Sequence, residues 1–145
     1  MIKKISHIAI AVKSIEEVKN FYEEVLGLKI EKIEKVPERK VKVAFIPIGE
    51  TRIELVEPLD ENSPVKKFLD ERGGGIHHIC FEVNEIEKEM ERLKEKGIKL
   101  TTDKPEKGAE GNLVCFIHPK SAYGVLIELN EKNLKEKNES LVRKD

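Results

Sequence analysis

Four residues of this chain have the types and spacing to do metal chemistry together: His7, Glu54, His78 and Glu128. They come as two pairs in similar settings. His7 opens His7-Ile8-Ala9-Ile10-Ala11-Val12, and Glu54 follows within Ile53-Glu54-Leu55. His78 opens His78-Ile79-Cys80-Phe81-Glu82-Val83, and Glu128 follows within Ile127-Glu128-Leu129. The second histidine follows the first at almost the same interval as the second glutamate follows the first. Two imidazole nitrogens and two carboxylate oxygens make a ligand set that suits a divalent transition metal. The simpler explanation, that strand alternation turns these polar groups to water, fits any one glutamate, but it leaves their recurrence at matching places in both halves unexplained.

The elements that must position these residues repeat as well. Residues 5–12 alternate as a strand does, with Ile8, Ile10 and Val12 on one face and His7, Ala9 and Ala11 on the other. Ser14 and Glu17 form a capping box ahead of a helix over 15–26, which Gly27 stops. Strands at 41–48 and 51–57 flank Gly49-Glu50, a turn of the type II′ hairpin kind, with Glu54 on the face of Arg52 and Val56. In the second half a strand over 76–83 puts His78, Cys80 and Glu82 on one face. Asn84 is the expected cap of a helix over 85–96, which Gly97 stops, and strands at 113–117 and 125–129 complete the unit. The expected organisation is one domain over 1–130, with modules at about 1–62 and 74–130 joined by a linker helix at 63–73. A charged tail over 131–145 follows, with only Leu134, Leu141 and Val142 to bury.

Three further segments bear on the site. His77 alternates onto the face opposite His78 and reads as a core or rim histidine. His118 and Lys120 are candidates for substrate contact, His118 at a pocket mouth and Lys120 toward an anionic group, although a plain surface position explains His118 equally well and, in a chain this rich in lysine, explains Lys120 better. Gly73-Gly74-Gly75 lacks the Gly-Lys-Ser/Thr pattern that cradles phosphates, so flexibility or close packing is expected there.

Composition narrows the function classes. The 145 residues carry 27 Lys and Arg against 28 Asp and Glu, a net charge of −1, and no basic patch stands clear of acids as nucleic-acid binding requires. No run of apolar residues is long enough for a membrane span, and no leader precedes the first strand, so a cytoplasmic, soluble protein is expected. Two cysteines, not spaced as a CxxC, are too few for a disulfide framework.

The twofold strand–helix–hairpin unit, with His7, Glu54, His78 and Glu128 at its matching places, resembles the vicinal oxygen chelate (glyoxalase-like) superfamily. Within it the chain resembles the methylmalonyl-CoA epimerase family, from Ile5 to Leu129. The resemblance is carried by His7 to Val12, Val43 to Gly49 with Ile53 to Pro58, Gly73 to Val83, and Phe116 to Ser121 with Gly124 to Leu129. It implies an α+β fold of two paired βαβββ modules in a cup-shaped mixed sheet, usually a homodimer, around one divalent metal on His7, Glu54, His78 and Glu128. Cobalt is favoured for that metal, and manganese, nickel, zinc or ferrous iron fit the same ligands. The implied reaction interconverts (2R)- and (2S)-methylmalonyl-CoA by removing and returning the C2 proton, with Glu128 and Glu54 as the catalytic carboxylates. Some epimerases carry a further glutamate where this chain has Val43. Two other functions compete: a glyoxalase I type lactoylglutathione lyase, which uses the same ligand order, and a non-catalytic ligand-binding or resistance protein of the same fold.

Overall fold

The order of elements is the same in both halves of the chain. The computed structural model describes residues 1–133. Its first half runs β1 (Ile2–Ala11), α1 (Ile15–Asn20), β2 (Lys32–Val36), β3 (Val41–Ile48) and β4 (Thr51–Pro58). After α2 (Pro64–Arg72) come β5 (Gly75–Val83), α3 (Ile86–Glu95), β6 (Glu106–Lys107), β7 (Leu113–Ile117) and β8 (Ile127–Glu131). This is the expected α+β class, with βαβββ given twice. The expectations for Leu134, Leu141 and Val142 lie outside the described residues. Among the described residues no helix is long and apolar enough to cross a membrane.

The described residues pack as two compact units, one of residues 5–80 and one of residues 1–4 with 81–133. In the unit of residues 5–80, β4 runs parallel to β1, with Ile53 opposite Ile8 and Leu55 opposite Ile10. On its other side β4 pairs antiparallel with β3 through the Gly49-Glu50 turn, and β3 pairs with β2. Val12, Ile15, Ala44, Ile46 and Leu55 form this unit's core. In the other unit β6, β7 and β8 are antiparallel neighbours, and Val83, Ile86, Met90, Cys115 and Leu129 form the core. The core repeats in step with the candidate ligands. Val12 corresponds to Val83, Ile15 to Ile86 and Ala44 to Cys115 at the interval that separates His7 from His78, and Leu55 to Leu129 at the interval that separates Glu54 from Glu128. Burying each large aliphatic side chain contributes about 1.5–3 kcal/mol, so both units are built on the same apolar positions.

Four local expectations change. The helix expected over 15–26 is α-helical only to Asn20. Phe21–Val25 forms a π-helical turn in which the Leu26 N–H donates to the Phe21 carbonyl at 3.0 Å. Ile15 and Ile86 keep the histidine interval, but the stop glycines Gly27 and Gly97 are one residue closer together than that, so the first half holds one extra residue, which the wider turn absorbs. Asn84 is not the cap of α3. Glu85, the counterpart of Ser14 in the second half, takes that position without a side-chain cap, and the Ile86 N–H instead donates to Glu131 Oε1 at 2.9 Å. The strand expected at 125–129 is displaced to Ile127–Glu131, because Tyr123 and Gly124 have positive φ and the Gly124 and Val125 amides bond back to Pro119 and Ala122 in a turn. The strand β2, rich in Lys and Glu, carried too weak an alternation to be expected.

The triple glycine is a packing device. Gly73 ends α2 at φ +78°, its N–H donating to the Leu69 carbonyl at 2.7 Å. Gly74 has φ +122°, and a Cβ there would stand 3.2 Å from the Ala11 carbonyl oxygen, so β1 and the start of β5 approach as closely as glycine allows.

Candidate metal centre

The alternating strands do not turn their polar residues to water. His7 and Glu54 are 4 % exposed, Glu128 7 % and His78 8 %, which removes solvent exposure as the explanation of the pattern. Buried imidazoles and carboxylates need partners, and the partners define what the group can do.

Within the unit of residues 5–80 three of the four residues come together. The parallel register sets Ala9 of β1 opposite Glu54 of β4 and leaves His7 one pleat away on the same face. The His7 Nδ1 lies 3.1 Å from Glu54 Oε2 and 3.1 Å from Ser6 Oγ. Arg52, one pleat before Glu54, donates its Nε–H to the same Oε2 at 2.7 Å, and its guanidinium lies over the Phe45 ring at 4.5 Å. On β5 the His78 Nδ1 is 2.8 Å from the Nδ1 of His77. The Nδ1 atoms of His7 and His78 are thus both engaged, and the Nε2 atoms face each other at 3.4 Å across rings set edge to face. The Cys80 thiol is within 4.8 Å of a His7 ring nitrogen.

This donor set fits a divalent cation. Two imidazole nitrogens bound tetrahedrally to one ion at about 2.0–2.1 Å are about 3.4 Å apart. Metal-bound histidines characteristically give their other ring nitrogen to a carboxylate or similar partner, the arrangement that His7 and His78 both have.

In the other unit Glu128 lies on β8 opposite Phe116 of β7. Burial, and then the Glu128 carboxylate, push the neighbouring Cys115 thiol up to about 12, so Cys115 is a neutral thiol and no nucleophile. Glu82, expected on the face of His78, is buried and paired with Lys3 at 3.4 Å and Lys132 at 3.7 Å. His118 heads the short turn Pro119–Ser121, where its Nδ1 accepts from the Lys120 N–H at 3.0 Å, and Lys120 is exposed. Sequence reasoning missed Ser6 and the hydrogen bond between His77 and His78. Arg52 was legible only as a neighbour on the Glu54 face. Alternation sets the direction of a Cβ, not the reach of an imidazole, so the contact between His77 and His78 left no signal.

Residues 6–116 match the Glyoxalase/Bleomycin resistance protein/Dioxygenase superfamily. The ethylmalonyl-CoA/methylmalonyl-CoA epimerase of Cereibacter sphaeroides is 42% identical over 90% of this chain and 99% of its own. The solved methylmalonyl-CoA epimerase of Mycobacterium tuberculosis has a TM-score of 0.89 at 32% identity, covering 94% of this chain and 93% of its own. A variant of the Streptomyces coelicolor methylmalonyl-CoA epimerase, solved with 2-nitronate-propionyl-CoA, has a TM-score of 0.88 at 31% identity, covering 92% of this chain and 97% of its own. With a matching family over most of its length and relatives this similar, the chain belongs to the glyoxalase superfamily and, within it, to the methylmalonyl-CoA epimerase family.

Proposed function

We propose that this protein is a metal-dependent epimerase that interconverts (2R)- and (2S)-methylmalonyl-CoA by exchanging the proton at C2. The observation that carries this reading is the meeting of His7 Nε2 and His78 Nε2 at 3.4 Å beside the buried Glu54, in a member of the epimerase family. His7, His78, Glu54 and Glu128 are the residues that would hold the metal, and Arg52 and His7 already engage Glu54 Oε2. A divalent cation held by them would supply Lewis-acid stabilisation of the negative charge that removal of the C2 proton leaves on the substrate. Glu128 takes the proton on one face of C2, and Glu54 serves the other. Val43 is a buried aliphatic residue on β3 and offers no carboxylate of its own. Ser6, Arg52 and His77 hold the two imidazoles and the Glu54 carboxylate in place. His118 lines the pocket mouth and Lys120 meets an anionic group of the substrate. The protein works as a cytoplasmic homodimer, a reading supported by its free cysteine thiols for the compartment and by the family for the assembly.

The test is proton NMR of cobalt-loaded protein in deuterated water with (2S)-methylmalonyl-CoA, beside a chelator-treated control. Loss of the C2–H signal that needs the metal and yields the 2R epimer is the expected result. Its absence from folded, metal-loaded protein overturns the reading and directs the assay to the glutathione hemithioacetal of a lactoylglutathione lyase. Glu128→Gln is expected to bind metal and to exchange no proton.

A further inference from the structure

We infer that His77 is a positioning residue for His78, holding its imidazole by a hydrogen bond between the two Nδ1 atoms, and that α2 braces it through Phe68. The inference rests on the metal-centre reading above. An Nδ1 to Nδ1 contact of 2.8 Å requires one ring to donate and the other to accept. His78 presents its Nε2 to His7, and a nitrogen that gives its lone pair to a cation carries no hydrogen, so the hydrogen of His78 sits on Nδ1 and is donated. His77 is therefore the acceptor at Nδ1, with its own hydrogen on Nε2.

The acceptor is itself held. The His77 ring stands edge to face on Phe68 of α2, with centroids 4.9 Å apart, and the Arg72 guanidinium caps the same Phe68 ring at 5.3 Å. α2 is anchored at both ends, Ser63 Oγ accepting from the Val65 N–H and Gly73 closing the last turn. The helix between the two βαβββ stretches thus reaches the candidate ligand in two steps, from Phe68 to His77 and from His77 to His78. This gives the double histidine a division of labour: His78 faces His7, and His77 decides which nitrogen of His78 is offered.

The test compares His77→Leu, which removes the acceptor, with His77→Asn, whose side-chain carbonyl can take the place of Nδ1. Cobalt affinity is read by competition with a chromophoric chelator. The His78 tautomer is read by nitrogen-15 NMR of the metal-free protein, and folding by thermal unfolding. Loss of an outer hydrogen-bond partner weakens metal affinity about 10- to 100-fold, and that loss is expected for His77→Leu, with a mixed His78 tautomer and an unchanged fold. His77→Asn is expected to stay within a few-fold of wild type, and Phe68→Leu to fall between. Wild-type affinity and an unchanged His78 tautomer in His77→Leu overturn the inference, as does an equal loss in His77→Asn, which points to packing alone. Wild-type protein that binds no divalent cation overturns the metal centre instead, while the nitrogen-15 comparison of metal-free proteins still decides the role of His77.

Discussion

Arg52 donates its Nε–H to Glu54 Oε2 at 2.7 Å, and that same oxygen stands 3.1 Å from His7 Nδ1. One carboxylate oxygen thus joins a guanidinium stacked on Phe45 to a candidate metal ligand. Hydrogen bonds to charged groups contribute about 1.5–3 kcal/mol, and a quarter of the Arg52 side chain is exposed, which lowers its share. Arg52→Leu is expected to cost about 1–2 kcal/mol in urea unfolding, and Arg52→Lys, which keeps the charge but not the planar donor, less. An unchanged unfolding midpoint in Arg52→Leu refutes this assignment.

Each βαβββ stretch ties its helix to its last strand by the same device. The Ile15 N–H donates to Glu57 Oε1 at 2.7 Å and the Ile86 N–H to Glu131 Oε1 at 2.9 Å, and these two glutamates keep the interval of Glu54 and Glu128. Removing a helix N-terminal acceptor costs about 0.5–2 kcal/mol. Glu57→Ala and Glu131→Ala are each expected to fall in that range, and to add in the double variant because each accepts from the start of its own helix. Calorimetry of the two singles and the double checks both statements; a double variant no worse than either single contradicts them.

The repeated core predicts matched cavities. Leu55 and Leu129 occupy corresponding places in the two cores and are almost wholly buried. Truncating a buried leucine to alanine costs about 2–5 kcal/mol, so Leu55→Ala and Leu129→Ala should be similarly destabilised in chemical unfolding. A loss under about 1 kcal/mol at either site rejects its place in the core.

The cysteines should be silent in the folded protein. Cys80 and Cys115 are buried free thiols, and burial, followed by the Glu128 carboxylate, pushes Cys115 up to about 12. Iodoacetamide at mildly alkaline pH is expected to label both only after unfolding, as read by mass spectrometry. Because the folded thiol holds its proton more tightly than the unfolded one, its contribution to stability is complete below the ordinary thiol range. It is lost as pH rises toward about 12. Cys115→Ala should flatten that alkaline decline; a decline of the same steepness shows that another group causes it.

The amino-acid sequence by itself determined the twofold plan. Alternation around His7 and His78, the stop glycines Gly27 and Gly97, and the Ser63-Pro64 start of α2 are local signals, because each depends on backbone geometry over a few residues. The same locality made Arg52 visible on the Glu54 face, since residues two apart on a strand share a side. Tertiary structure decided the rest. The burial of His7, Glu54, His78 and Glu128 depends on what covers a strand face, and alternation carries no information about that. The contact of His77 with His78 depends on side-chain reach, while the Glu131 acceptor for α3 and the approach of Gly74 to Ala11 join groups far apart in the chain. Such contacts form only after the strands have paired, which is why no local pattern records them.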